Sequence, residues 1–274
     1  KMAQFPPVPS HYRVPDRSKY PELARYSRNE IYNDTFGGGA LYLTALIARN
    51  MELKPGEIVL DLGCGKGASS VYLARTFGVQ VVALDLWTPV DYLNEKFNRE
   101  GYRNQIIPLN LDIAGPLPFA QGYFDKIFCQ NSLNFYGGSQ TFLSHLLKFL
   151  KPGGLIGMGM ETLSREFNAE ELSDPPAVYN YFLPGTDINV WEADFSKMHS
   201  PAWWGKLFED SGLVKEVKWQ ELPDAIILYE DLVRYQIENE TDLDDVLISI
   251  KQLEFARTAQ PAKTLFTLSA RKLV

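Results

Sequence analysis

The stretch Glu57-Ile-Val-Leu-Asp-Leu-Gly-Cys-Gly-Lys-Gly67 restricts the fold more than any other part of this 274-residue chain. Ile58, Val59 and Leu60 form an unbroken apolar run, the pattern of a strand buried on both faces of a parallel sheet. Asp61 ends the run, glycines stand at 63, 65 and 67, and helical periodicity resumes with Val71, Leu73 and Ala74. Glycine lets a backbone turn sharply and approach a ligand closely, and the first turn of a helix presents unpaired amides. Strand, glycine turn and helix in that order predict a nucleotide-binding α/β unit.

Two kinds of ligand fit such a turn. Gly63-x-Gly65-x-x-Ala68 matches the loose dinucleotide fingerprint. Asp61, two residues before the first glycine, argues against it, because a carboxylate there repels a pyrophosphate and suits the ammonium of an amino-acid moiety. The pattern Asp61-x-Gly63-x-Gly65-x-Gly67 resembles the first motif of class I S-adenosylmethionine-dependent methyltransferases. The resemblance implies an α/β fold with a seven-stranded doubly wound sheet of order 3-2-1-4-5-7-6, strand 7 antiparallel. It also implies S-adenosylmethionine as cofactor and S-adenosylhomocysteine as product.

Later segments follow the same order. Gly78 is placed to close the first helix, and Val79 to Leu84 reads as a second strand ending at Asp85, with Leu86 after it. An acid twenty residues beyond Gly65 is positioned to accept from ribose hydroxyls. Thr88-Pro89-x-Asp91 predicts a helix start with Thr88 as N-cap. Gln105 to Leu109 is the third expected strand, and the resemblance assigns the following Asp112 and Ile113 to the adenine amino group and ring. After a fourth strand, Phe124 to Cys129, the segment Gln130-Asn-Ser-Leu-Asn-Phe-Tyr136 leaves at the carboxyl edge of the sheet.

The amino-directed DNA methyltransferases resemble Asn-Pro-Pro-aromatic at this point. Ser132 and Leu133 replace both prolines, which opposes a flipped base as substrate. Many small-molecule methyltransferases and the cyclopropane-forming lipid enzymes carry a His or Glu-x-x-His where this chain has Asn134. Asn131 is a candidate cofactor contact, and Asn134 and Tyr136 are candidates for orienting a substrate during catalysis. Ser139 to Lys151 reads as an amphipathic helix with His145 off its apolar face, in solvent, and Lys151-Pro-Gly-Gly-Leu155 leads into strand five.

The core sequence is interrupted by long additions, all within one domain spanning 1–274. Residues 1–51 comprise a proline-rich arm, a helix from Glu22 to Asp34, the run Gly37-Gly38-Gly39 and an apolar helix from Ala40 to Met51. In the resembling family such helices cover the cofactor, which makes Tyr32 a candidate cofactor contact and Phe36 a candidate substrate contact. Residues 162–200 are rich in aromatics, among them the substrate candidate Trp191, and residues 223–261 carry two helical patterns. Loops this long in a compact domain are commonly functional lids. His199-Ser-Pro-Ala-Trp203-Trp204 resembles a His-Ser-x-x-Trp-Trp stretch in a group of bacterial class I methyltransferases. His199 is the candidate proton acceptor, ahead of a helix capped by Ser200-Pro201, and Trp203 and Trp204 are candidates for lining a substrate pocket. Val214 to Val217 and Thr264 to Ala270 complete the sheet, and the acids between Glu238 and Asp245 read as a solvated helix start.

Totals narrow the function class. Lys and Arg number 27 against 34 Asp and Glu, net −7, with no basic block, so a nucleic acid is not expected as the main substrate. Two cysteines, Cys64 and Cys129, at no disulfide or zinc spacing suit a reducing cytoplasm, and no metal set is expected. No run reaches membrane-spanning length and the first residues lack a signal peptide's apolar segment, so the expected location is cytoplasmic and no membrane contact is expected. No feature bears on oligomeric state. The expected function is methyl transfer to a small-molecule nitrogen, oxygen or carbon by in-line displacement, achieved mainly by alignment and exclusion of water. Lipid alkyl-chain modification of the cyclopropane type, or cofactor binding without catalysis, are the other readings.

Overall fold

The computed structural model describes residues 5–274 apart from 36, 137, 183, 184 and 240. Strands β1 (Ile58–Leu62), β2 (Gln80–Asp85), β3 (Ile106–Asn110), β4 (Phe124–Gln130), β5 (Leu150–Leu163), β6 (Val214–Glu221) and β7 (Lys263–Lys272) form one sheet. Its order is β3-β2-β1-β4-β5-β7-β6. β1 lies parallel between β2 and β4, and β7 runs antiparallel between β5 and β6, which is the topology the first motif implied.

The apolar run of β1 follows from burial on both sides. Val59 packs with Val81 and Phe128 into one core, while Leu60 and Leu62 join Leu84, Ile127 and Cys129 in the other. Strand side chains alternate, so a strand covered on both faces needs apolar residues at consecutive positions. The helices are α1 (Arg28–Tyr32), α2 (Ala40–Arg49), α3 (Ala68–Phe77), α4 (Val90–Arg99), α5 (Gln140–Leu147), α6 (Ala169–Ser173), α7 (Val190–Ala193), α8 (Pro201–Asp210), α9 (Ala225–Glu238) and α10 (Leu243–Thr258). Helices α2, α3, α4, α9 and α10 feed the first core, and α5 and α8 feed the second. No helix among the described residues is long and apolar enough to cross a membrane.

Some boundaries differ from the sequence reading, each for a local reason. The helix expected from Glu22 to Asp34 is a turn at Pro21–Leu23 followed by the short α1, because Ser27 and Glu30 form a capping box that starts a new helix. Helix α4 begins at Val90 with Pro89 as N-cap, since the Thr88 amide donates to Asp85 Oδ1 at 2.8 Å instead. Strand β5 begins five residues early, where Leu150 pairs with Phe124, and runs on to Leu163. His145 is half-buried rather than in solvent, its Nε2 donating to the Ile113 carbonyl at 3.0 Å.

The N-terminal elements are fastened to the sheet at close range. Gly157 and Gly159 of β5 lie under α2, where a Cβ would come within 2.6 Å of Met51 and 2.8 Å of Ile47. Tyr32 hydroxyl donates to Asp231 at 2.5 Å, and Arg28 pairs with the same carboxylate at 2.7 Å. Arg13 and Arg257 both pair with Glu230, which is 2% exposed, at 2.8 and 2.7 Å. Burial raises the Glu230 carboxyl, but hydrogen bonds from the two guanidiniums outweigh it and bring it from 4.5 down to about 2. A carboxyl held below its unfolded value stabilises the fold above that value and loses the effect as it is protonated. Glu230 is therefore expected to stabilise fully above pH 4.5 and to lose its contribution as pH falls toward about 2. Urea unfolding of the wild type should weaken more steeply over this interval than that of Glu230→Gln; parallel curves would contradict it.

Candidate active site

The carboxyl ends of β1, β2, β4 and β5 open into one cavity of about 1060 Å³. At its floor, Gly63, Gly65 and Gly67 all take positive φ (70°, 53° and 84°), a backbone that L side chains rarely adopt. Gly63 and Gly65 line the cavity, and a Cβ on Gly63 would stand 2.4 Å from the Ser132 side chain. Gly67 does not line it; it serves as N-cap of α3, packed against Phe97 and Leu93.

Asp61 lies behind the loop, 1% exposed, with Oδ2 accepting from Ser69 and Ser70 hydroxyls at 2.7 and 2.6 Å. Its Oδ1 is buried without a partner. Burial pushes this carboxyl up to about 6 against the pull of the two hydroxyls. Asp85 lines the cavity and organises two loops at once. Its Oδ2 accepts from the Gly65 amide at 2.9 Å, and Oδ1 accepts from Trp87 and Thr88 amides at 2.9 and 2.8 Å. Leu86 lines beside it, and Trp87, 72% exposed, meets Phe135 edge-to-face at 5.3 Å across the rim.

Asp112 lines the adjoining wall, its Oδ1 accepting from Ala114 N at 2.9 Å. Ile113 does not reach the cavity; its side chain is fully buried in the second core, and Ala114 lines in its place. Asn131, at φ 51°, joins three elements: Oδ1 accepts from Glu161 N at 2.8 Å and Nδ2 donates to Gly38 O at 3.3 Å. Asn134 and Tyr136 line the same cavity, Tyr136 stacked on Phe142 at 5.0 Å.

Other candidates lie elsewhere. Tyr32 is buried against Asp231 and is absent from the lining, because its hydroxyl is already committed. His199 is also outside it: the ring stacks on Trp203 at 3.6 Å and Nδ1 meets Glu166 at 3.0 Å. Trp203 closes over Gly138 and Trp204 sits in the second core. Trp191 packs with Phe167, Tyr179 and Phe195 in the insertion's own small core, so the aromatics there hold the insertion together instead of facing the cavity. Phe36 lies outside the described residues.

Several lining groups escaped sequence reasoning. Glu161, half-buried near the end of β5, accepts from the Gly38 amide at 3.0 Å and pairs with Lys263. Asp194 comes from the 162–200 insertion and takes a hydrogen bond from Asn134 Nδ2 at 3.3 Å. Asp34 lines the cavity with its carboxylate held by Lys96 at 2.6 Å. Strand-end position was a usable signal for Glu161; no pattern in the sequence marks Asp194 or Asp34.

This cleft, at the carboxyl edge of a 3-2-1-4-5-7-6 sheet, can be set beside known proteins. A family described as a methyltransferase domain matches residues 59–154, the span from β1 to the start of β5. This segment is similar to a methyltransferase domain. Phosphoethanolamine N-methyltransferase 1 of Arabidopsis thaliana is 24% identical over 225 residues, which cover 81% of this chain and 42% of that protein. Glycine/sarcosine/dimethylglycine N-methyltransferase of Actinopolyspora halophila is 28% identical over 110 residues, 40% of this chain and 20% of its own length. The chain spans less than half the length of these relatives. Among solved structures, Haemonchus contortus phosphoethanolamine N-methyltransferase 2 in complex with S-adenosyl-L-methionine aligns with a TM-score of 0.72. The two are 17% identical, with 94% of this chain and 59% of that one covered. Geranyl diphosphate C-methyltransferase of Streptomyces coelicolor aligns with a TM-score of 0.63 at 15% identity, covering 99% of this chain and 88% of that one. The methyltransferase-domain fold thus extends well beyond residues 59–154.

Proposed function

We propose that the chain binds S-adenosylmethionine in this cavity and transfers its methyl group to a small molecule, at nitrogen, oxygen or carbon. The observation that carries this reading is the charge of the lining. Among the described residues five carboxylates, Asp34, Asp85, Asp112, Glu161 and Asp194, face one cation, Lys66. A pyrophosphate is ill matched to such a wall, whereas a sulfonium with an ammonium tail suits it. The orphaned Oδ1 of Asp61 and the cradle that a Cβ on Gly63 would fill fit the amino-acid end.

When bound, S-adenosylmethionine supplies a methyl group activated by a cationic sulfur. Asp61 and the backbone at Gly63 and Gly65 hold the tail, Asp85 accepts from the ribose, Leu86 flanks it, and Asp112 faces the adenine edge. Asn131 fixes the segment covering the cofactor, and Asn134 and Tyr136 orient the acceptor. Gly67, Tyr32 and Ile113 support these groups from behind. Residues 1–51, 162–200 and 223–261 cap the single domain; Trp191 stiffens the 162–200 cap, Trp203 and Trp204 pack α8 onto the second core, and His199 stays outside the cavity, held by Glu166 and Trp203. Alignment supplies the larger share of the barrier reduction, roughly 7–11 kcal/mol for well-oriented partners. The charge balance supports a small-molecule acceptor over nucleic acid, and the two buried free cysteines support a cytoplasmic setting.

Isothermal titration with S-adenosylmethionine tests the reading: saturable binding at one site is expected, and absence of both heat and thermal shift would refute it. The pH dependence is specific. An ammonium beside Asp61 needs the carboxylate, and in the free protein that group takes up a proton near pH 6. Affinity for S-adenosylhomocysteine should be level above about pH 6 and fall below it, approaching about tenfold per unit. Asp61→Asn should flatten the profile; an unchanged slope in that variant would remove Asp61 from the role.

A further inference from the structure

The carboxylates of the cavity are not equivalent, and comparing their partners isolates one of them. Asp34 is neutralised by Lys96 at 2.6 Å, and Glu161 by Lys263. Asp85 already accepts from three backbone amides, and Asp112 accepts from its own turn. Asp194 has only the amide of Asn134, at 3.3 Å, and forms no ion pair among the described residues. The two lysines whose charge acts on it are engaged elsewhere, Lys263 with Glu161 and Gln252 and Lys197 with the Ala193 carbonyl. Beside it, Asn134 Oδ1 is a buried acceptor with no partner. A carboxylate without a cation and an amide oxygen without a donor on one cavity wall form a receptor lacking its donor.

We propose that Asp194 and Asn134 bind an ammonium group carried by the methyl-accepting molecule. An ammonium offers three donors and a positive charge, which satisfies both orphaned acceptors at once. A phosphate or carboxylate in the same place would meet the Asp194 carboxylate, while the nearby lysines, Lys263 and Lys197, are already engaged with Glu161 and the Ala193 carbonyl. The acceptor is therefore a cationic amine without an anionic group beside its nitrogen. Burial raises the Asp194 carboxyl in the free protein, so this carboxylate gains most from a cation that replaces lost water.

The inference rests on the methyl-donor reading, and one experiment separates the two. Protein is first titrated with S-adenosylhomocysteine by calorimetry. The loaded protein is then screened by thermal shift and titration against aliphatic and aromatic amines at millimolar concentration, the matching alcohols, the matching carboxylates and phosphoethanolamine. Failure at the first step refutes the methyl donor. If the first step succeeds, binding confined to amines, weakened about thirtyfold or more in Asp194→Asn, is the expected result. S-adenosylhomocysteine affinity retained in that variant shows that its fold is intact. Binding by alcohols, carboxylates or phosphoethanolamine instead of amines, no amine binding, or equal amine affinity in Asp194→Asn would overturn the proposal.

Discussion

Asp85→Ala lowers the affinity for S-adenosylhomocysteine by roughly two to four orders of magnitude. A carboxylate that accepts from both ribose hydroxyls makes two charge-assisted hydrogen bonds, each worth about 1.5–3 kcal/mol. That sum, about 3–6 kcal/mol, sets the range. The same side chain holds the Gly65 amide at 2.9 Å and the Trp87 and Thr88 amides at 2.9 and 2.8 Å. Its removal thus also frees the two loops that shape the cavity floor, which puts the loss toward the upper end. Asp85→Asn keeps the side chain's volume and one oxygen acceptor, so it should fall between the wild type and Ala. Calorimetry measures all three; affinity of Asp85→Ala within threefold of wild type would take Asp85 out of the site.

Gly63→Ala should be the most damaging small substitution in the first motif. The position sits at φ 70°, and the added Cβ would lie 2.4 Å from both Cβ and Oγ of Ser132. Ser132 has little freedom to move, because its hydroxyl donates to the Leu62 carbonyl at 2.8 Å and lies 3.1 Å from Cys129 Sγ. Left-handed backbone costs about 1–2 kcal/mol for a residue with a Cβ, and overpacking adds about 1–3 kcal/mol. Gly56→Ala provides the comparison: it has φ 83° and nothing within 4 Å of the new Cβ, so only the backbone term applies. Urea unfolding should place Gly63→Ala below Gly56→Ala by the overpacking term. Equal stabilities would mean that the loop does not lie against Ser132 as described.

The fold was legible because its signals are local and repeated. A strand buried on both faces must be apolar at consecutive positions, so Ile58 to Leu60 declared a parallel sheet, and Gly78 at φ 68° closed α3 where its position suggested. Asp85 was singled out by its place at a strand end and Asp112 by the family resemblance, and both line the cavity. What the sequence hid depends on distant pairings. Nothing near Asp34 indicates that Lys96 neutralises it, and nothing near Asp194 indicates that it meets Asn134 on the cavity wall. The aromatic insertion misled for a physical reason: Trp191, Tyr179 and Phe195 look the same in sequence whether they line a pocket or pack against one another, and here they do the latter. His199 misled similarly, since a histidine ahead of a helix reads as a free base until Glu166 and the face of Trp203 are seen to hold it.

The most direct measurement is a crystal structure of the protein grown with S-adenosylhomocysteine. The expected density has the amino-acid end over Gly63 and Gly65 above Asp61, the ribose at Asp85, and the sulfur facing the space between Asn134, Tyr136 and Asp194. Density elsewhere on the surface, or side chains closing the cleft between β1 and β4 so that the nucleoside has no room, would contradict the account at its root.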